Sequence, residues 1–328
     1  MTKTILPAFL SVQGYRLSDD EKRLFEQSNP LGVCLFAKSC NNVQNKEQLK
    51  SLCREIKETI GRNDVLIAID QEGGRVRRLT EPEFTPLTEQ AALLTPELAR
   101  IHAFLAAYDL KNCGININFA PVLDICYPFS SNVLKGRCFS GDEKNIAEQG
   151  KAMVDEYLAN GICPCIKHLP GHGRAKADPH LELPVIDDDF ETLRQDFYPF
   201  KKLSYAPMGM AAHLLLTKID SSNPSSESPI VIQKIIRQFI GFSGFLVSDA
   251  IVMQALKGSI VERAQRSLAA GCDAVCLGNA GYEANSELAA GKIAMSDKAL
   301  ERLQKISEII SKPLSVQSYE QQKNKYCA

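Results

Sequence analysis

Short runs of apolar residues, each about the length of a strand, recur along the chain: Thr4 to Leu10, Gly32 to Ala37, Val65 to Asp70, Ile115 to Ala120, Cys163 to His168, Met208 to Leu214, Gly244 to Asp249 and Ala274 to Gly278. Between them apolar positions move to helical spacing, over Asn42 to Ile60, Leu98 to Asn112, Glu143 to Asn160, Phe190 to Ser204, Val231 to Ile240 and Gln254 to Ala270. Strands that are almost continuously apolar suit a parallel sheet covered on both faces. Eight of them alternating with helices predict an α/β protein built as a single (β/α)8 TIM-type barrel, with some irregularity. An open doubly wound sheet is the competing architecture. It would place a Gly-rich phosphate turn after an early strand, and no such turn is present.

The polar residues that interrupt these runs sit at or near their carboxyl ends. Asp70 ends the third run, the NFAPVLD segment straddles the end of the fourth, Lys167 and His168 end the fifth, His213 nearly ends the sixth and Asp249 ends the seventh. In a barrel those ends converge on one face, where strand tips and the following loops build active sites. Of the five histidines, only His102 falls outside these tips and the loop after the fifth run. No linker, low-complexity tract or repeat divides the chain. Residues 1–310 are therefore expected to form one barrel domain, and the polar tail, residues 311–328, is expected to fray.

Composition narrows the partners. With 45% hydrophobic and 23% charged residues and no Trp, the chain has material for a large core. Its formal net charge is -1 and no long basic run occurs, so nothing in it attracts nucleic acid or an anionic membrane. The N-terminal stretch has one Lys before a short apolar run and soon meets Asp19 and Asp20, so it reads as a first strand rather than a signal peptide. No run approaches the roughly 20 apolar residues of a membrane span. A cytoplasmic location is expected. The eleven cysteines lie in apolar contexts, which predicts buried reduced thiols. Cys163 and Cys165 share one face of a strand, but no second pair follows at zinc-finger spacing and no metal is expected there.

Four segments carry candidate chemistry. In IDQEGGRVRRL, residues 69–79, Asp70 can accept hydroxyl hydrogen bonds from a sugar while Arg75, Arg77 and Arg78 offer fork-shaped donors; a helix cap before a solvated basic turn is the plainer reading. In IKHLPGHGRAKADPH, residues 166–180, Lys167, His168, His172, Asp178 and His180 lie within fifteen positions. Pro170, Gly171 and Gly173 make that stretch a flexible loop, against the helical two-histidine geometry of zinc proteases. A zinc site on His168, His172 and His180 is one alternative. The other is a hydrogen-bonded acid and imidazole pair, Asp178 with His180, in which the carboxylate orients the ring. In GFSGFLVSDAIVM, residues 241–253, a buried run delivers Asp249 to a strand tip, where a carboxylate is costly unless used or paired. The long loop over residues 118–142 brings Arg137 within reach of the barrel mouth.

Together DQEGGRV, NFAPVLD, KHLPGHG, the DPH triplet and GFLVSDAIVM resemble glycoside hydrolase family 3, and within it the single-domain bacterial β-N-acetylglucosaminidases, from about Leu6 to about Asn279. The resemblance implies a retaining exo-acting enzyme that releases terminal N-acetylglucosamine from cell-wall muropeptides during peptidoglycan recycling, without cofactor or metal. By it Asp249 matches the nucleophile that forms a glycosyl-aspartate, and Asp178 with His180 matches the acid/base pair. Asp70, Arg78, Arg137, Lys167 and His168 match sugar-binding positions. A monomer is expected. Leu169, Pro179 and Ala250 stand where the family usually has Phe, Ser and a second Asp. A family 3 glycosidase or phosphorylase of β-glucosidase-like specificity, or a catalytically impaired sugar-binding relic, are the alternatives.

Overall fold

The structure, a computed structural model, describes residues 4–36 and 42–327. Besides short 3-10 turns the elements run β1 (Leu6–Ser11), α1 (Asp19–Ser28), β2 (Pro30–Leu35), α2 (Lys46–Ile60), β3 (Leu66–Ile69), α3 (Pro96–Cys113), β4 (Ile117–Asn118), α4 (Glu143–Ala159) and β5 (Cys163–Leu169). They continue with β6 (Val185–Ile186), α5 (Phe190–Lys202), β7 (Met208–Ala211), β8 (Leu215–Leu216), a π-helix (Val231–Phe239), β9 (Phe245–Ala250), α6 (Ile260–Ala270), β10 (Ala274–Cys276), α7 (Tyr282–Ala290), α8 (Asp297–Ile310) and α9 (Tyr319–Cys327). Among the described residues eight strands close into a barrel in the order β1, β10, β9, β7, β5, β4, β3, β2, every neighbour parallel. Strands β6 and β8 pair separately. The expected barrel is borne out. The end of the second run, Ala37, lies outside the described residues, as does the last tail residue, Ala328.

The continuous apolar runs follow from two cores separated by one layer of backbone. Along β1, Phe9 points into the barrel while Ala8 and Leu10 pack outward against the helices. The interior is filled by residues such as Phe9, Leu66, Phe119, Cys165, Met208 and Phe245, with Phe9 and Phe119 edge to face at 5.7 Å. With side chains alternating faces at every residue, both sets must be apolar. Each fully buried Leu or Phe contributes about 1.5–3 kcal/mol.

Three expectations change. The helix expected over Gln254 to Ala270 starts only at Ile260, because Ser259 and Glu262 form a reciprocal capping box there. The segment before it turns along the barrel mouth instead. The helix expected over Val231 to Ile240 is π-wound, closing with Ile240 N–H to the Ile235 carbonyl. The tail expected to fray carries α9, whose Tyr319 stacks on Tyr108 at 4.3 Å and bonds Thr85 Oγ1 through its hydroxyl at 2.8 Å. Two tyrosines supply burial that an otherwise polar stretch lacks. The described cysteines are free thiols, buried except for Cys126 and Cys327; Cys40 lies outside the described residues. Among the described residues no helix is long and apolar enough to cross a membrane.

Candidate active site

The tips of β3 and β5 meet in a buried ion cluster. Lys167 Nζ lies 2.8 Å from Asp70 Oδ1 and 2.6 Å from Glu72 Oε1, with only 2% of its side chain exposed. Arg137 grips the same Glu72 with two parallel bonds of 2.8 Å, and Arg78 Nη2 reaches Asp70 Oδ2 at 3.2 Å. Burial alone would raise both carboxyl pKa values. Lys167 and Arg78 outweigh it at Asp70, and Arg137 and Lys167 outweigh it at Glu72, so both are held below the ordinary carboxylate range. Three cations face two carboxylates, which leaves the cluster receptive to hydroxyl oxygens and to a further anion.

His168 follows Lys167 on β5. Its Nδ1–H donates to Asp124 Oδ2 at 2.6 Å, while Nε2 accepts from Arg137 Nη2 at 3.5 Å. Asp124 Oδ1 also takes the His172 backbone N–H at 2.7 Å, so one carboxylate anchors both ends of the His168 to His172 segment. Burial opposes the Asp124 charge, but His168 and His172 hold its pKa down.

Asp249 stands at the tip of β9, its Oδ1 accepting the Ala250 N–H at 2.7 Å. Burial disfavours its charge, and His168, His213 and the Ala250 amide reverse that, leaving a lowered pKa and a carboxylate ionised at neutral pH. Buried His213 lies beneath this tip, bonded to Ser226 Oγ at 2.7 Å and to the Ala250 carbonyl at 3.2 Å. On the loop after β5, His180 Nδ1–H donates to Asp178 Oδ1 at 2.7 Å, and the His180 backbone N–H donates to the same oxygen at 3.0 Å. That pair leaves Nε2 unclaimed and lowers the Asp178 pKa against its partial burial. The loop is tied to the other wall of the cavity where the Pro179 carbonyl accepts the Ala255 N–H at 3.2 Å.

One cavity of about 420 Å³ joins these groups. Asp249 and His180 line it together with Asp70, Arg78, Arg137, Lys167 and His168, over an apolar floor that includes Cys34, Phe119 and Met210. Asp178 borders it through His180. Of the other two motif arginines, Arg75 spends its guanidinium on the Asn132 and Lys135 carbonyls, and Arg77 pairs with Glu81, so neither joins the ion cluster. Glu72, Asp124 and His213 are the residues that motif reading leaves without a role. The first two lie inside the quoted segments, yet nothing in one dimension says which cation each faces.

The zinc alternative finds no support in the geometry. Among the described residues no group of three His, Cys, Asp or Glu side chains is placed to hold a metal ion. His168 and His180 each donate Nδ1–H to a carboxylate, and buried His172, its pKa pushed down to about 4, has no hydrogen-bond partner for either ring nitrogen among the described residues. Cys163 and Cys165 are both buried, filling the barrel interior as apolar side chains.

The family model of the glycosyl hydrolase family 3 N-terminal domain matches residues 6–306. The chain belongs to glycosyl hydrolase family 3. It is a glycoside hydrolase. A relative from Thiobacillus denitrificans, named beta-hexosaminidase, is 36% identical over 288 residues, covering 82% of this chain and 77% of the relative. Another beta-hexosaminidase, from Bordetella avium, is 32% identical over 321 residues, 94% and 89% of the two chains. The solved structure of NagZ from Neisseria gonorrhoeae, in complex with N-trifluoroacetyl-D-glucosamine, superposes with a TM-score of 0.85 at 29% identity, covering 98% of this chain and 97% of that one.

Proposed function

We propose that the protein is a retaining exo-β-N-acetylglucosaminidase that releases terminal N-acetylglucosamine from muropeptides, as a cytoplasmic monomer in peptidoglycan recycling. The observation that carries this reading is the single cavity lined by an ionised Asp249, by His180 of the Asp178 pair and by the Lys167 cluster. The beta-hexosaminidase relatives and the amino-sugar complex of NagZ support N-acetylglucosamine as the sugar.

In this reading Asp70, Arg78, Arg137, Lys167 and His168 bind the sugar hydroxyls. Asp249 attacks the anomeric carbon as positive charge develops on the ring, and forms a covalent glycosyl ester. His180, protonated on both nitrogens, gives its Nε2 proton to the departing oxygen, with Asp178 fixing the ring through Nδ1. Neutral His180 then removes a proton from water, which attacks the same carbon and frees Asp249. Configuration is retained through two inversions. No cofactor enters either step.

A second reading draws on the same imidazole. A neutral imidazole repels an anionic acceptor less than a carboxylate would, so phosphate competes with water for the glycosyl ester; added phosphate then yields the sugar 1-phosphate. The test of the main reading is hydrolysis of 4-nitrophenyl β-N-acetylglucosaminide and of the β-glucoside by wild type, Asp249→Ala and His180→Ala. Wild type should prefer the N-acetyl substrate and both variants should lose turnover. Equal cleavage of the glucoside, or full activity in Asp249→Ala, overturns it.

A further inference from the structure

Helix α9 follows the segment matched by the family, residues 6–306, and packs on α3. Its Tyr326 is the outer member of a hydrogen-bonded chain that ends at the ion cluster. The Thr88 N–H donates to the Tyr326 hydroxyl at 3.0 Å, and that hydroxyl lies 2.7 Å from Nδ1 of His102, a fully buried residue of α3. His102 Nε2 lies 2.9 Å from the Glu72 carbonyl. A carbonyl only accepts, so Nε2 carries the ring proton. Burial pushes the His102 pKa down to about 4, so the ring is neutral, Nδ1 accepts and the Tyr326 hydroxyl donates. Every bond in the chain therefore has a fixed direction.

The far end of this chain is where the sugar site is organised. The Glu72 side chain is 1% exposed and holds both Lys167 and Arg137. Its backbone N–H is also tied, to the Val76 carbonyl at 2.9 Å, so His102 completes the clamp on this residue. The fit leaves no slack: a Cβ on neighbouring Gly73 would lie 2.8 Å from His102 Cε1 and 2.0 Å from the Thr88 carbonyl oxygen. The Tyr319 bond to Thr85 pins the other end of α9 to the same chain segment that supplies Thr88. The Glu72 carbonyl is buried in this fit, and losing its donor costs the desolvation of an orphaned acceptor. Relief requires the segment to move, and positioning errors near 1 Å are costly in a site of this kind.

We propose that α9 is a positioning element of the sugar site, acting through Tyr326 and His102 to fix the Glu72 carboxylate that aligns Lys167 and Arg137. The proposal rests on the reading of Lys167 and Arg137 as sugar ligands. It places the C-terminal helix, which contributes no side chain to the cavity lining, inside the machinery that sets affinity for the sugar.

The test compares wild type with Tyr326→Phe, His102→Leu and His102→Gln, the last retaining an amide donor for the Glu72 carbonyl. Amide hydrogen exchange is followed over residues 71–79, and N-acetylglucosamine affinity and the KM and kcat of the chromogenic substrate are measured on the same preparations. His102→Leu should speed exchange in this segment and raise Kd and KM about tenfold, with kcat changed far less, as expected for about 1.4 kcal/mol of lost ground-state binding. Tyr326→Phe should move both readouts in the same direction by a smaller factor, and it is the decisive variant where His102→Leu fails to fold. His102→Gln should restore them to within about threefold of wild type. Unchanged exchange over residues 71–79 in Tyr326→Phe and His102→Leu overturns the proposal, as does faster exchange with unchanged affinity. Wild type that neither binds nor cleaves the amino sugar overturns the sugar reading instead, and the exchange result still decides whether the clamp exists.

Discussion

Glu72 concentrates the consequences at the scale of single residues. Replacing it with Ala strips Arg137 of its bidentate partner and leaves Lys167 with Asp70 alone, in surroundings where water cannot compensate. Breaking a buried pair in this way costs about 3–5 kcal/mol. Urea unfolding at pH 7 should show a loss of that order for Glu72→Ala and a smaller one for Glu72→Gln, which keeps the volume and one acceptor. The counterpart in the proposed mechanism is His180, whose side chain is 58% exposed. His180→Ala should leave the melting temperature near wild type while lowering kcat by about 10²–10⁴-fold. Asp70, Lys167, His168 and Asp249 were legible in the sequence because each stands at the carboxyl end of an apolar strand, where an unpaired charge is costly, while Arg78, Arg137 and His180 stood out only through their motifs. Their supports were not. Glu72 and Asp124 act through partners 65 and 44 positions away, and His213 works from beneath a strand tip, so only the closed barrel reveals them.

Among the elements, the loop between β5 and β6 carries Asp178 and His180, the proposed acid/base pair. The sequence reads Gly171 and Gly173 as part of a flexible loop, and the structure distinguishes the two. Gly171 has φ +143°, whereas Gly173 is required for a close approach, since a Cβ there would lie 2.0 Å from the Ile125 carbonyl oxygen. Gly173→Ala should therefore push the loop away from the 118–142 segment and displace His180. Activity should fall at least tenfold, with a loss of stability within the range of an overpacked contact, about 1–3 kcal/mol. Comparing kcat/KM with the urea midpoint checks this. Strands and long helices were legible because their apolar periods are strong. The late start of α6 depends on a local cap, the π-helix on a wider turn that keeps an ordinary amphipathic pattern, and the docking of α9 on two tyrosines whose receptors, Tyr108 and His102, lie more than two hundred positions earlier.

Over the whole molecule, buried titratable groups set the dependence of stability on pH. His102 and His172 have pKa values pushed down to about 4 by burial, so an unfolded chain binds protons near pH 6.5 that the folded one refuses. Their contribution is complete above about pH 6.5 and is lost as pH falls toward 4, at up to about 1.4 kcal/mol per pH unit for each. Asp196, pushed up to about 6 by burial against its bond to Arg174, offsets one of them over the lower part of that window. Below about pH 4 the lowered carboxyls Asp70, Glu72, Asp124 and Asp249 add to the loss, because their stabilisation disappears as they take up protons. Urea midpoints should fall steadily from pH 6.5 to 4, and His102→Gln should flatten that decline. The architecture itself was legible from eight apolar runs, since only a sheet buried on both faces calls for them.

The most direct measurement of the central claim is peptide mapping after incubation with a 5-fluoro glycosyl fluoride of N-acetylglucosamine, which slows release of a covalent intermediate. The account predicts one added sugar on the peptide containing Asp249, absent in Asp249→Ala. A sugar attached elsewhere, or turnover that gives the inverted anomer without any adduct, contradicts it.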